Sequence, residues 1–329
     1  MILTYSILLL SNLILFFFHN KLHKINYPVD HPNKRKIHSE KVLLSGGLFF
    51  LINLIIILLM EFFSNFQFIT FSVYGVESFF LISTIFFFLL GLADDKTNLN
   101  PNLKLLIIII ILSIFLSYNK NFIIDVLKFS FIDQTIYLGK YSFIFTILCL
   151  SLFINAFNMY DGINLQSGFY SLLFFIFFIL KSYNFHFSAV FIFSLILFII
   201  KNFKTKSFLG DNGCYILSFV IGVFIIDLYK IEKIYSDQIF LLMMVPGIDM
   251  FRLFILRIII KRNPFVGDKN HLHHILINLT NRDRVFIILF SVKFLIFFAV
   301  FFKINSIIIF SLAILIYTLL LKKKLTIFR

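Results

Sequence analysis

The chain divides into a succession of long apolar runs separated by short polar loops. A run of about 20 apolar residues is the length at which an α-helix crosses the hydrocarbon core of a bilayer with every backbone group hydrogen-bonded within the segment. The runs lie at approximately 2–18, 42–63, 77–93, 104–118, 143–159, 166–183, 186–201, 212–229, 237–259, 284–302 and 305–321. They predict an all-α polytopic membrane protein of about ten or eleven transmembrane helices, with residues 1–329 forming one integral membrane domain. Composition agrees: with 60% of residues hydrophobic and 14% charged, too little polar surface is left to clothe a water-soluble globule. The first run has no basic segment before it and no small-residue cleavage site after it, so it reads as a retained anchor. The two cysteines, Cys149 and Cys214, sit inside apolar runs and imply no disulfide framework.

Orientation follows from the loops. Assigned alternately to two sides, one set of loops collects most of the cations, among them Lys34, Arg35, Lys36, Lys104, Lys204, Lys206, Lys261, Arg262 and Lys322 to Lys324. The other set holds Lys120, Lys128, Lys140, Lys181, Lys230, Lys233 and Lys303. The positive-inside rule makes the first side cytoplasmic, with the N-terminus outside and the C-terminus inside. The net charge of +14 is then chiefly a topology signal; no nucleic-acid module is present, and a basic face also attracts anionic lipid and anionic substrates.

On that topology the acids of interest converge. Asp94 and Asp95 end the third run, Asp161 ends the fifth and Asp211 follows the seventh, all on the cytoplasmic side. A carboxylate at a membrane boundary has to be hydrated, paired or coordinated to a cation. Asp125, Asp133 and Asp237 read as solvated loop charges, and Asp227 and Glu77 receive no role. Carboxylates recruit Mg²⁺, a hard ion that keeps sites open for water or phosphate oxygens. The histidines of "DKNHLHHIL" and nearby basic residues bind anions, so the set suggests metal-bridged phosphate chemistry. Gly91, Gly162, Gly210 and Gly213 flank the acids and permit close approach or tight turns. A zinc site is the competing reading of the histidines, but their spacing is not that of HExxH and no cysteine is near.

Five stretches in order, "HPNKRKIH" with Gly46 and Gly47, "DDKTNLNPNLK", "NAFNMYDGIN", "FLGD" and "PFVGDKNHLHH", resemble the motifs of the polyprenyl-phosphate N-acetylhexosamine-1-phosphate transferase family, glycosyltransferase family 4, whose bacterial members include WecA, TagO and MraY. The resemblance implies attack of a polyprenyl (undecaprenyl) phosphate on the β-phosphorus of a UDP-sugar at the cytoplasmic face of the bacterial inner membrane, giving a polyprenyl diphosphate-sugar and UMP. It implies Mg²⁺, with Mn²⁺ as a substitute, held by Asp211 with help from Asn158. Asp94 or Asp95 would orient or deprotonate the lipid phosphate, directly or through a covalent intermediate. Asp161 and Asn164 fall on the nucleotide side. His271, His273 and His274 match the phosphate-binding loop, with Asp268 beside them to fix a tautomer. Partners are the UDP-sugar, the lipid and the membrane, with self-association left open.

Basic residues outside the motifs are weighed separately. Lys34 reads as a topology anchor, while Arg35 and His38 are left undecided. Arg252 lies three residues after Asp249, which predicts a structural ion pair, and Arg257 is the better substrate candidate. Asn164 and Leu165 stand where bacterial relatives usually carry Asp and Gly. An amide can still donate to a uracil carbonyl and accept from its N3–H, while Asn263 in place of Ser is neutral. The separated histidines of HLHH lean towards the WecA branch, which initiates cell-envelope glycans such as O-antigen, over the MraY branch of peptidoglycan synthesis. Two other classes stay open, a transporter, whose coupling residues belong near the midplane, and a catalytically inactive scaffold. A CDP-alcohol phosphatidyltransferase is rejected, because Ile163 and Asn164 follow the Asp-Gly pair.

Overall fold

The computed structural model of the protein describes residues 2–32, 40–63, 67–73, 75–261, 271–277 and 280–325. In chain order its elements are α1 (Ile2–Phe18), β1 (Val29–Asp30), β2 (Val42–Leu43), α2 (Gly46–Phe63), α3 (Glu77–Thr97), α4 (Pro101–Tyr118), β3 (Val126–Lys128), β4 (Thr135–Tyr137), α5 (Ser142–Tyr160), α6 (Gln166–Leu180), α7 (Phe185–Phe203), α8 (Gly210–Lys230), α9 (Ser236–Ile259), α10 (Leu272–Ile277), α11 (Arg282–Phe301) and α12 (Ser306–Leu325). Among the described residues, nine helices are long and apolar enough to cross a membrane, and Gln166–Leu180 and Ser306–Leu321 are shorter apolar helices. Together these eleven correspond to the eleven runs of the sequence. The protein is an all-α polytopic membrane protein, and the strands among the described residues form two small antiparallel pairs, β1–β2 and β3–β4.

α8 is the axis. It is buried along its whole apolar length, from Asn212 to Tyr229, and α2, α3 and α5 pack directly against it. Outer helices such as α1 and α4 turn exposed Leu10, Phe17, Leu106 and Ile114 outward, where lipid solvates them at no cost. Between helices in a bilayer, apolar burial supplies little drive, so close packing, small residues and polar contacts decide the arrangement. Phenylalanines fill the interior: Phe219 of α8 lies 4.6 Å from Phe87 of α3, ring centre to ring centre, and 5.3 Å from Phe115 of α4 in an edge-to-face pair. Polar cross-links add specificity. Asn53 of α2 accepts from Asn12 of α1 at 2.6 Å and donates to Ser194 of α7 at 2.6 Å.

The turn between α3 and α4 shows how local sequence sets helix ends. Asn98 takes a left-handed backbone (φ 50°) and its N–H donates to the carbonyl of Asp94 at 2.8 Å, closing α3. Asn100 then caps α4 through Asn102 N–H at 2.9 Å, with Pro101 in the first turn. α4 therefore begins three residues before the apolar run does. At the other end of α8, Asp227 is buried and bound: it accepts from Tyr183 Oη at 2.7 Å and from the N–H of Ser72 at 3.1 Å, which ties the loop before α3 to the axis.

α3 crosses α8 closely at Gly91. A Cβ there would lie 2.3 Å from Asn212 Cα, inside any permitted contact. Gly91→Ala is expected to lower stability by about 1–3 kcal/mol through forced separation of the two helices, read as a drop in the thermal midpoint of the detergent-solubilised protein. Gly247→Ala in α9, where a Cβ meets nothing within 4 Å, is the control and should leave the midpoint unchanged or slightly raised.

Candidate functional site

One end of the bundle holds a cavity of about 590 Å³. The C-terminal ends of α3 and α5, the loop from α5 to α6, the segment from α7 to α8 and the β1–β2 hairpin all open onto it. Asp94, Asp95, Asn158, Asp161, Asn164, Asp211 and His274 line it. The far end of α8, with Asp227, lies about 24 Å away along the helix axis.

The first turn of α8 is built across a helix interface. Its N-cap position is Leu209, which offers no side-chain bond. Asp95 fills that role from α3: its carboxylate accepts from the N–H of Asp211 at 2.9 Å, from the N–H of Asn212 at 3.2 Å, and from the Asn212 amide. A carboxylate facing a helix N-terminus is favoured by the peptide dipoles as well as by the hydrogen bonds. Asp94, one residue earlier and 2% exposed, reaches both α8, where Tyr215 Oη donates to it at 3.4 Å, and the α3–α4 side. It accepts from the N–H of Leu99 at 3.0 Å and pairs with Lys104 of α4 at 2.5 Å.

Lys104 lies outside the cavity lining but against two of its carboxylates. Its ammonium lies 2.5 Å from Asp94 Oδ2 and 3.9 Å from Asp211 Oδ2, between carboxylates of two helices. Asp211 in turn accepts from Asn158 Nδ2 at 2.7 Å, which brings α5 to the same point. The position between Asp94 and Asp211 is thus one that already stabilises positive charge. Among the described residues, no group of three or more His, Cys, Asp and Glu is gathered tightly enough to enclose a metal unaided. An open, all-oxygen donor set of this kind fits a hard divalent ion that keeps water and phosphate oxygens in its remaining positions; it does not fit an ion needing a closed protein cage.

One wall of the cavity is a pair of interlocked loops. Asn164 donates to the carbonyl of Asn202 at 2.8 Å and to Thr205 Oγ1 at 3.2 Å, while Asn202 accepts from the N–H of Leu165 at 2.6 Å and donates to the carbonyl of Ser207 at 2.8 Å. Leu165, where the family resemblance leads one to expect Gly, has φ 73°, a left-handed conformation that costs a branched side chain about 1–2 kcal/mol. The clamp from Asn202 holds that strained turn in place. Burial pushes the Asp161 carboxyl up to about 6, opposed by the nearby Ser167 and Cys214.

The three histidines separate. His274 lines the cavity. His273 is buried against Gly162, where a Cβ would stand 1.9 Å from Nε2, so only glycine lets the imidazole reach the cavity wall. Desolvation and its histidine neighbours hold His273 down at about 3, a neutral ring. His271 does not line the cavity; its Nδ1 lies 2.8 Å from Asp249 Oδ2 of α9. Arg257 is also buried outside the cavity lining, and Arg252 pairs with Asp249 at 2.8 Å as the i, i+3 spacing predicts. Asp268, Asn263, Lys34, Arg35, Lys36 and His38 lie outside the described residues.

Several site residues carried no readable signal. Lys104 looks like one more boundary charge, and Asn98, Asn202 and Thr205 are ordinary loop residues until the fold brings them to the cavity. Asp30 and His31 join the lining from β1 and the residue after it.

The geometry agrees with the comparisons. A family model described as glycosyl transferase family 4 matches residues 78–229, the stretch from α3 to α8 that carries all four cavity aspartates singled out above. A probable undecaprenyl-phosphate N-acetylglucosaminyl 1-phosphate transferase of Bacillus subtilis (strain 168) is 27% identical over 271 residues, covering 79% of this chain and 73% of its own. An undecaprenyl-phosphate alpha-N-acetylglucosaminyl 1-phosphate transferase of Thermotoga maritima is 25% identical over 271 residues, covering 80% of this chain and 77% of its own. The motifs, the all-helical membrane fold and the relatives agree: the chain is similar to glycosyl transferase family 4 over residues 78–229 and to undecaprenyl-phosphate transferases over most of its length.

Proposed function

We propose that the protein transfers an N-acetylhexosamine 1-phosphate from a UDP-sugar to undecaprenyl phosphate, releasing UMP, as the first step of a cell-envelope glycan of the WecA type. The observation that carries this reading is the convergence of Asp94, Asp95, Asp161 and Asp211, from α3, the α5–α6 loop and α8, on one cavity at the end of an apolar bundle. Both relatives named above are transferases that act on undecaprenyl phosphate. The excess of Lys and Arg in the loops read as belonging to this side supports a cytoplasmic face of a bacterial inner membrane as the cavity's location.

In the reaction an oxygen of the lipid phosphate forms a bond to the β-phosphorus, and the bond from that phosphorus to the α,β-bridging oxygen breaks, leaving on UMP. One phosphoanhydride replaces another, so the barrier lies in bringing two anions together, and positioning with charge neutralisation supplies the catalysis. A cavity lined by carboxylates opposes that approach unless a cation is present. Mg²⁺ held by Asp211 and Asn158 would neutralise diphosphate charge when bound. Asp94, with Lys104, faces the lipid phosphate and orients it. Asp95, whose oxygens are taken by the N-terminus of α8, fixes the direction of Asp211. Asp161 and Asn164 face the nucleotide, and His274 donates to diphosphate oxygens.

Membranes containing the protein are expected to release UMP from UDP-GlcNAc when undecaprenyl phosphate and Mg²⁺ are supplied, to stop on chelation and to resume on adding Mg²⁺ or Mn²⁺. Release from the muramyl-pentapeptide donor alone would place the protein in the peptidoglycan branch, and no release from any donor would favour an inactive scaffold. Asp211→Asn should lower kcat on the order of 100-fold or more, the scale of a lost electrostatic contact to a reacting group; full activity in that variant would refute its role at the cation.

A second expectation concerns pH. With its carboxyl raised to about 6, Asp161 is mostly ionised at neutral pH and becomes protonated as pH falls through about 6. If the ionised form serves the nucleotide, kcat/KM for the UDP-sugar should fall along that same limb. Asp161→Asn should flatten the limb, at a lower rate throughout.

A further inference from the structure

Asp249 of α9 is buried, 6% exposed, and lies away from the cavity lining, yet its carboxylate gathers donors from α9, the α10 turn and α12. Oδ2 meets His271 Nδ1 at 2.8 Å. The N–H of Leu272, first residue of α10, donates to Oδ1 at 3.1 Å and to Oδ2 at 3.2 Å. Arg252 and Tyr317 bring their donors to Oδ1 at 2.8 and 2.9 Å. From that anchor the histidines run in sequence towards the cavity: the His271 and His273 rings stack with centres 5.6 Å apart and planes 10° apart, and His274 is 4.3 Å beyond His273. His273 abuts Gly162 and His274 reaches the lining.

We propose that Asp249 is a positioning residue for the transfer reaction: it fixes the orientation of His271 and the start of α10, and through them holds His273 and His274 against the cavity wall. The inference rests on the reading of the cavity as the transferase site. A carboxylate shared between an imidazole and a backbone N–H sets both the ring orientation and the helix direction. Arg252 and Tyr317 compensate its charge from behind, so the pair that the sequence presents as a bundle ion pair is the back half of a histidine support.

The test uses the full chain in native membranes or detergent, with diethyl pyrocarbonate as a histidine probe mapped by mass spectrometry. In the unaltered protein His271 and His273, 7% and 2% exposed, should be modified slowly. Asp249→Asn is expected to speed modification of both at least fivefold and to raise KM for UDP-GlcNAc by a larger factor than it lowers kcat, with Asp249→Glu recovering part of each change. Tyr317→Phe, which keeps the bonds to His271 and Leu272, should leave the labelling as it was. Unchanged labelling in Asp249→Asn would overturn the proposal, and so would a Tyr317→Phe variant that reproduces every effect, since that describes a helix latch. Should Asp249→Asn fail to accumulate, His271→Gln breaks the same contact from the other side and must speed labelling of His273; no change there also overturns it. Absence of turnover in the unaltered protein would sink the transferase reading alone, because the labelling comparison needs no substrate.

Discussion

The carboxylate of Asp95 does for α8 what α8 cannot do for itself. A helix that starts in or near a bilayer leaves backbone N–H groups without partners, and in a medium poor in water each such group is costly. Leu209 offers no cap, so the first turn of α8 depends on an acceptor from outside. That acceptor arrives because Gly91, one turn earlier on α3, lets the two helices approach until a Cβ would collide with the Asn212 backbone. The crossing and the cap are one device. It sets the direction of Asp211, and Asn158 then reaches Asp211 from α5, so three helices are registered to one another at the point where the chemistry is proposed.

Much of this was legible in the chain, for reasons that differ by element. Runs of apolar residues give helix number and order because lipid exposure demands them; all eleven runs appear as helices. Boundaries were read less well where capping decides them: α4 starts at Pro101 because Asn100 caps it, although its apolar residues begin later, and α8 starts at Gly210, ahead of its apolar stretch. The cavity acids were visible because paired or glycine-flanked carboxylates at helix ends need an explanation. Lys104 was not, since a lysine beside a membrane has a sufficient reason to be there in topology alone. Its partnership with Asp94 depends on the short α3–α4 turn folding α4 back, a fact of geometry and not of spacing. Asp249 was read as half of an ion pair because only its helical neighbour is near in sequence; His271, Leu272 and Tyr317 are distant along the chain and close only in the fold.

Leu165 illustrates a different kind of departure. The family resemblance leads one to expect glycine there, and the backbone has a glycine-like conformation with Leu in place, at φ 73°. The local penalty is met by Asn202, which holds the Leu165 N–H and the carbonyl of Ser207 with the two ends of one amide. Strain retained at a cavity wall, with a buried polar clamp to maintain it, is what a wall shaped for a ligand would require. The same pair of loops presents the Asn202 carbonyl and Thr205 hydroxyl that orient Asn164, so Asn164 and Leu165 are both held by one structure.

Charge then explains why the cavity sits where it does. In the proposed reaction two anions meet in a space lined by carboxylates, in a chain whose loops are rich in Lys and Arg. Basic loops raise the local concentration of anionic donors and hold lipid phosphates at the interface, but they do not overcome repulsion inside the cavity. That falls to a positive charge placed among the acids, and Lys104, lying between Asp94 and Asp211, marks where the field of the protein favours one. A carrier that moved ions across the membrane would place such acids near the midplane. Here Asp211 is in the first turn of α8, and the buried acid at the opposite end, Asp227, is consumed in holding a loop. In the proposed reaction the acids belong at one boundary, because the lipid phosphate cannot leave the interface and the nucleotide would have to come to it.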